Sequence, residues 1–150
     1  MNEPSPFRNE RLDDLFELEL QFDWQMPPVT SREAGEGEYI GSGKGTARGA
    51  RVNGTIRWDL FEKREETLCR SNLTGVIETH DGSQIQFDSR GFFIQPDQAK
   101  PEKWITSASV HFFTADGRYE WLNPRLAVWE GEFDMATFRH LYQVRLRVAE

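Results

Sequence analysis

A two-residue rhythm limits what this chain can fold into. From Leu15 onward, Phe16, Leu18, Leu20 and Phe22 are apolar while Glu17, Glu19 and Gln21 are polar. Successive strand side chains point to opposite faces, so this period lays one apolar and one polar face along an extended segment; a helix would scatter the same residues around its axis. The rhythm returns where Val52, Gly54, Ile56, Trp58 and Leu60 alternate with Arg51, Asn53, Thr55, Arg57 and Asp59. It returns again in Tyr142, Val144, Leu146 and Val148 against Gln143, Arg145 and Arg147. Strands with one apolar face must close over one another to bury it.

Turn signals divide the rest. Asp81-Gly82 and Asp116-Gly117 are hairpin turns by composition. The first predicts a pair of strands over Leu68–Thr79 and Gln84–Ile94, the second over Trp104–Thr114 and Tyr119–Trp129. Five glycines between Tyr39 and Phe61 predict two strands bent at bulges or corners. Pro27 and Pro28 mark a surface loop over 26–37, residues 96–103 form a polar link, and 134–139 has room for one helical turn. Residues 1–11 read as a flexible N-terminal segment. The expectation is an all-β fold: a single domain over residues 1–150, built as one antiparallel β-barrel of about eight strands with little helix. A length of 150 residues suits one core.

Five Trp, three Tyr and eleven Phe make the apolar fraction bulky, as the wall of a cavity requires. Eighteen basic residues against 25 acidic ones, a net charge of −7, disfavour nucleic acid and anionic membrane surfaces as partners. No apolar run reaches the roughly 20 residues of a membrane span, and the first ten residues lack a signal-peptide core, so the expected location is cytoplasmic. The single cysteine, Cys69, reads as a structural thiol in a strand rather than a nucleophile.

Few motifs carry chemistry. Gly41-Ser42-Gly43-Lys44-Gly45-Thr46 resembles a phosphate loop, but Glu38 stands where its first glycine belongs and no helix pattern follows, so it reads as a bent strand. His80, His111 and His140 lack metal-ligand spacing; no metal and no cofactor are expected. His111, next to Phe112, is an acid–base candidate if it points inward. Asp88 and Arg90 share one strand face. Outside the barrel they are a weak surface pair; inside, a polar ligand would complete them. Read as a strand, Tyr119, Trp121 and Asn123 also share a face.

The order of these motifs resembles the domain-of-unknown-function 3237 family: residues 49–56 (Gly-Ala-Arg-Val-Asn-Gly-Thr-Ile), then Asp81-Gly82 leading to Ser89-Arg90-Gly91, then residues 118–123 (Arg-Tyr-Glu-Trp-Leu-Asn), then Trp129-Glu130-Gly131-Glu132. The resemblance runs from about Leu15 to Val148 and implies a calycin-like (lipocalin-like) antiparallel barrel with a cavity open at one end. Arg51, Gly54, Arg90, Gly91, Trp121 and Asn123 match the family pattern. Asn72 stands where an acidic residue is common, and Ser107 where an arginine is.

The function expected is binding of a small hydrophobic or aromatic metabolite, with Arg51, Trp58, Asn72, Arg90, Trp121 and Asn123 as candidate contacts. A second expectation is a cofactor-independent isomerase, cyclase or lyase in the same cavity, with Asp88 or His111 as acid–base group and Arg90 or Asn123 holding an enolate-like oxygen. A third is a homodimeric interaction module joined through a sheet face.

Overall fold

A computed structural model describes residues 10–25, 37–65 and 68–149. Of the expected loop over 26–37, residues 26–36 lie outside the described residues, as does most of the N-terminal segment, and Gly37 opens the second strand instead. Eight strands follow in order: β1 (Glu10–Gln25), β2 (Gly37–Arg48), β3 (Asn53–Glu65), β4 (Leu68–Thr79), β5 (Gln84–Ile94), β6 (Lys103–Phe113), β7 (Leu126–Asp134) and β8 (Arg139–Ala149). Each pairs antiparallel with the next, and β1 pairs with β8, so the sheet closes as an up-and-down barrel.

The register sets the width of the interior. From Gly37 on β2, the paired residues run through Arg64, Cys69, Phe93, Thr106, Gly131, Tyr142 and Leu18, and return to β2 at Ala47, ten residues along from the start. Eight strands with that stagger tilt by about 40° and enclose a space that side chains fill or that holds one small ligand. The alternation read in the sequence is the inside–outside alternation of this wall: on β6, Trp104, Thr106, Ala108, Val110 and Phe112 are buried while their neighbours are exposed. It breaks on β1, where the register shifts between Asp14 and Phe16 and lets Leu15 and Phe16 both enter the core.

Large rings need space across the strand, and glycines supply it. At Gly131 a Cβ would stand 2.6 Å from the Tyr142 ring and 2.0 Å from the Leu141 carbonyl oxygen. At Gly43 it would strike the Trp58 indole and the Gln21 carbonyl. At these positions glycine leaves the space that the ring on the neighbouring strand fills.

One end of the barrel is plugged. The Asn53 side chain bonds both the N–H and the carbonyl of Gly49, holding the β2–β3 turn. The β6–β7 connection corrects a sequence expectation: residues 119–125 are not strand but a short 3-10 helix, Glu120–Leu122, and its flanking turns. The Asn123 amide accepts from the Thr114 N–H at 2.8 Å and donates to its carbonyl at 2.9 Å, so it ties the connection back to β6. Leu122 is fully buried in the barrel end, and the Tyr119 hydroxyl donates to Asp81 across the neighbouring turn. The 134–139 segment is likewise a turn, with Phe138 at φ 55°.

Gly131→Val should destabilise the fold by at least about 2 kcal/mol, because the new side chain meets backbone as well as a ring. Gly117→Ala, which meets nothing within 4 Å, should leave it within about 0.5 kcal/mol. Urea unfolding of the two variants beside the parent checks both.

Candidate functional site

The core decides which way each candidate side chain points. On β5 the inward set is Ile85, Phe87, Ser89 and Phe93, so Asp88 and Arg90 project outward; their ion pair is long, 3.9 Å, and the side chains are 49% and 75% exposed. His111, paired across from Asp88, is outward for the same reason, and so is Asn72, paired across from Arg90. The interior position considered for Asp88, Arg90 and His111 is therefore corrected: apolar Ile85 and Phe87 claim the core, and period two sends their neighbours outside. Arg51 and Trp121 meet at the plugged end, the guanidinium 3.6 Å from the indole centroid, with the Trp121 N–H on the Arg118 carbonyl. Trp121 and Asn123 do not share a strand face, since no strand exists there. Of the proposed contacts only Trp58 lies inside, 2% exposed and donating to the Lys44 carbonyl.

A polar cluster that the sequence reading passed over occupies the other half of the interior. On β3 the inward phase continues past Leu60 to Glu62 and Arg64. Glu62 is only 5% exposed and Arg64 11% at the side chain, with Nη2 3.3 Å from Glu62 Oε1. Arg64 Nε also donates to the Cys69 thiol at 3.3 Å. The guanidinium lies 4.7 Å from the Tyr39 ring centroid and 5.4 Å from that of Trp104. Aromatic faces hold such a planar cation in one orientation.

Across the barrel, Tyr142 and His140 share the inward phase of β8, and the phenol bonds His140 Nδ1. His140 is 1% exposed, ringed by Phe22, Phe93, Phe133 and Trp58, and its Nε2 has no hydrogen-bond partner among the described residues. Thr106 lies near enough to Tyr142 to act on its ionisation, yet its own hydroxyl is left without a well-formed bond. The imidazole tautomer sets the direction of that bond: with the phenol donating to Nδ1, Nε2 carries the ring N–H, and with Nδ1 protonated, the ring donates to the phenol oxygen.

Burial governs the ionisation of all these groups. It raises the Glu62 pKa above the usual carboxylate range, against the opposing pull of Arg64. The Cys69 thiol is pushed up to about 11, first by burial and then by the Glu62 charge, and stays a thiol. Burial raises Tyr142 and drops His140 to about 3, so the imidazole is neutral at pH 7. Beside Glu62, the paired inward positions on β4, β5 and β6 are Ser71, Gly91 and Ala108, a wall of small residues. The signal for this cluster was present in the sequence: Glu62, Arg64 and His140 are polar residues standing in the apolar phase.

The sequence pattern of the DUF3237 family, described as a protein of unknown function, matches residues 11–148. Among solved structures, a β-barrel-like protein from Acinetobacter baumannii superposes with a TM-score of 0.80 at 16% identity, covering 99% of this chain and 100% of that one. A protein of unknown function from Clostridium acetobutylicum gives 0.80 at 15% identity over 93% and 99%. An enzyme from Penicillium herquei gives 0.64 at 18% over 96% and 98%. At these identities the likeness is one of fold. No curated protein matches the sequence.

The His140 environment carries a pH signature. Between its ordinary value of 6.5 and about 3 the unfolded chain binds a proton that the folded chain refuses, so this residue's contribution to stability is lost as pH falls through that window. Glu62, raised on folding, acts in the opposite sense above its ordinary value of 4.5. Comparison of His140→Phe with the parent separates the two: the parent should lose stability between pH 6.5 and 5 more steeply, by up to about 1.4 kcal/mol per pH unit, in urea midpoints measured at each pH.

Proposed function

The chain belongs to the DUF3237 family, whose description names no activity; from that premise we propose that the barrel binds a small, largely aromatic molecule carrying a carbonyl or phenolic oxygen. The observation that carries the reading is the buried Glu62–Arg64 pair, set among aromatic rings and beside the small residues Ser71, Gly91 and Ala108. A buried ion pair costs more in desolvation than it returns unless further hydrogen bonds complete it. A ligand oxygen facing the pair would supply them, the aromatic rings would take its apolar body, and the small wall would leave it room. Outer-wall Asp88 and Arg90 have no part in such a site.

2-Tetralone, a bicyclic ketone, is a suitable probe, with binding read by saturation-transfer NMR on the ligand. The parent should give transfer, Ala108→Trp and Ser71→Leu should lose it, and Asp88→Asn and Arg90→Gln should keep it. Unchanged transfer in both filled variants, or loss in the outer-wall ones, would sink the reading.

A second reading rests on a separate observation. Phe92, Ile94 and Ile105 are large, apolar and about half exposed on the outside of β5 and β6, with Ile94 and Ile105 directly paired, and Leu141 of β8 lies beyond Glu132 in the same row. Such a face suits self-association. Light scattering should find a dimer mass that Ile94→Lys with Ile105→Glu reduces to the monomer; a monomer mass for the parent at every concentration rejects it.

A further inference from the structure

Binding leaves unexplained why the ligand oxygen should face a carboxylate as well as a guanidinium. Arg64 alone would hold a carbonyl. Glu62 adds a buried group able to take a proton, and its chemistry is narrowed by its surroundings. Arg64 engages Glu62 through Nη2 and Cys69 through Nε; its other N–H groups have no partner among the described residues. Among the described residues Glu62 accepts at Oε1 only, and at 3.3 Å that contact is longer than the 2.7–2.9 Å typical of a charge-assisted bond. An uncommitted carboxylate oxygen and uncommitted N–H donors thus stand side by side, with the guanidinium plane set by Tyr39 and Trp104. A carbonyl oxygen and the hydrogen on the carbon beside it are the two ends of one reacting unit that a donor and an acceptor so paired can meet together.

Other chemistries fit the cluster less well. Cys69 remains a protonated thiol bonded by Arg64, which makes it a poor nucleophile. The Tyr142 hydroxyl is engaged with His140, and burial disfavours loss of its proton.

We propose that Glu62 is a general base that takes a proton from the carbon next to the ligand's carbonyl group, while an Arg64 N–H donates to the oxygen. This rests on the binding reading above and deepens it to a reaction class, the enolisation of an aromatic ketone. The C–H bond breaks, its proton joins the Glu62 carboxylate, and its electron pair becomes the new C=C bond. The carbonyl π pair moves to oxygen, where Arg64 meets the developing charge. Return of the proton to the same carbon, or to one conjugated with it, restores the carbonyl and frees the carboxylate. The net result is an isomer or, in heavy water, an exchanged hydrogen, with no oxidant, reductant or co-substrate consumed. Burial strengthens Glu62 as a base by raising its pKa, the same tuning that lets carboxylates do this work in other apolar sites.

The full chain is incubated with 2-tetralone in D2O, and loss of the ketone's α-proton NMR signals is followed alongside saturation transfer. Exchange roughly a hundredfold above the buffer rate is expected of the parent. Glu62→Gln should still bind and exchange only at the buffer rate, Glu62→Asp should recover part of the parent rate, and Asp88→Asn should match the parent; melting curves confirm that each is folded. Binding by the parent without exchange above buffer overturns the proposal and leaves the binding reading standing. Parent-like exchange in Glu62→Gln removes Glu62 from the role. Neither binding nor exchange overturns both.

Discussion

Everything in this molecule depends on the pairing of β1 with β8. It joins the first and last strands, removes both free sheet edges, and fixes the stagger that completes the circuit ten residues out of step. A smaller stagger would give a narrower barrel that its own side chains would fill. The observed one needs Trp129, Phe87, Phe112 and Phe16 to pack the plugged half, while Trp58 reaches toward Phe22 and His140. The glycines follow from the same requirement, since rings of that size pack only where the strand opposite yields. Closure thus accounts for the aromatic content and for the glycine content together.

Closure also explains how polar groups come to lie where they do. Any inward position is withdrawn from water, and a carboxylate or imidazole there pays desolvation that exposed groups escape. The opposite shifts of Glu62 and His140 have this one cause: burial favours the neutral form of each, the protonated acid and the unprotonated base. The exposed pairs differ. Arg118 with Asp116 and Arg90 with Asp88 sit in solvent, where an ion pair contributes little to stability. Among the described residues, surface charge is plentiful and interior charge is confined to one cluster on β3.

Much of the fold was legible because alternation is a local property. Val52 to Leu60 and Tyr142 to Val148 declare their inward residues without reference to any partner, and the hairpin from Leu68 to Ile94 declares its turn at Asp81-Gly82. Residues 119–123 misled for a reason that is not local. Their aromatic and polar residues alternate like a strand, but the Asn123 amide finds the Thr114 backbone and Leu122 finds the barrel end, and those contacts outweigh strand propensity. The candidate site failed on phase. Asp88 and Arg90 drew attention as a charged pair, yet the flanking Ile85, Phe87 and Phe93 already assigned them to the outer face. Glu62, Arg64 and His140 are the converse case, charged or polar residues in step with apolar ones, and that mismatch was the more informative signal.

The low identity to barrels of the same shape follows from the same physics. Closure requires alternation, turns and a few glycines opposite rings, and many sequences meet those terms, so 15–16% identity is compatible with TM-scores of 0.80. The outer face is constrained mainly to be polar, and the plugged half mainly to be filled. Neither constraint specifies a carboxylate and a guanidinium in the interior, where hydrophobic residues of similar volume would stabilise the barrel at least as well. Glu62 and Arg64 are therefore the residues whose presence the fold does not explain, and in a scaffold that does not by itself imply an activity, chemistry is sought first at the groups that folding leaves unexplained.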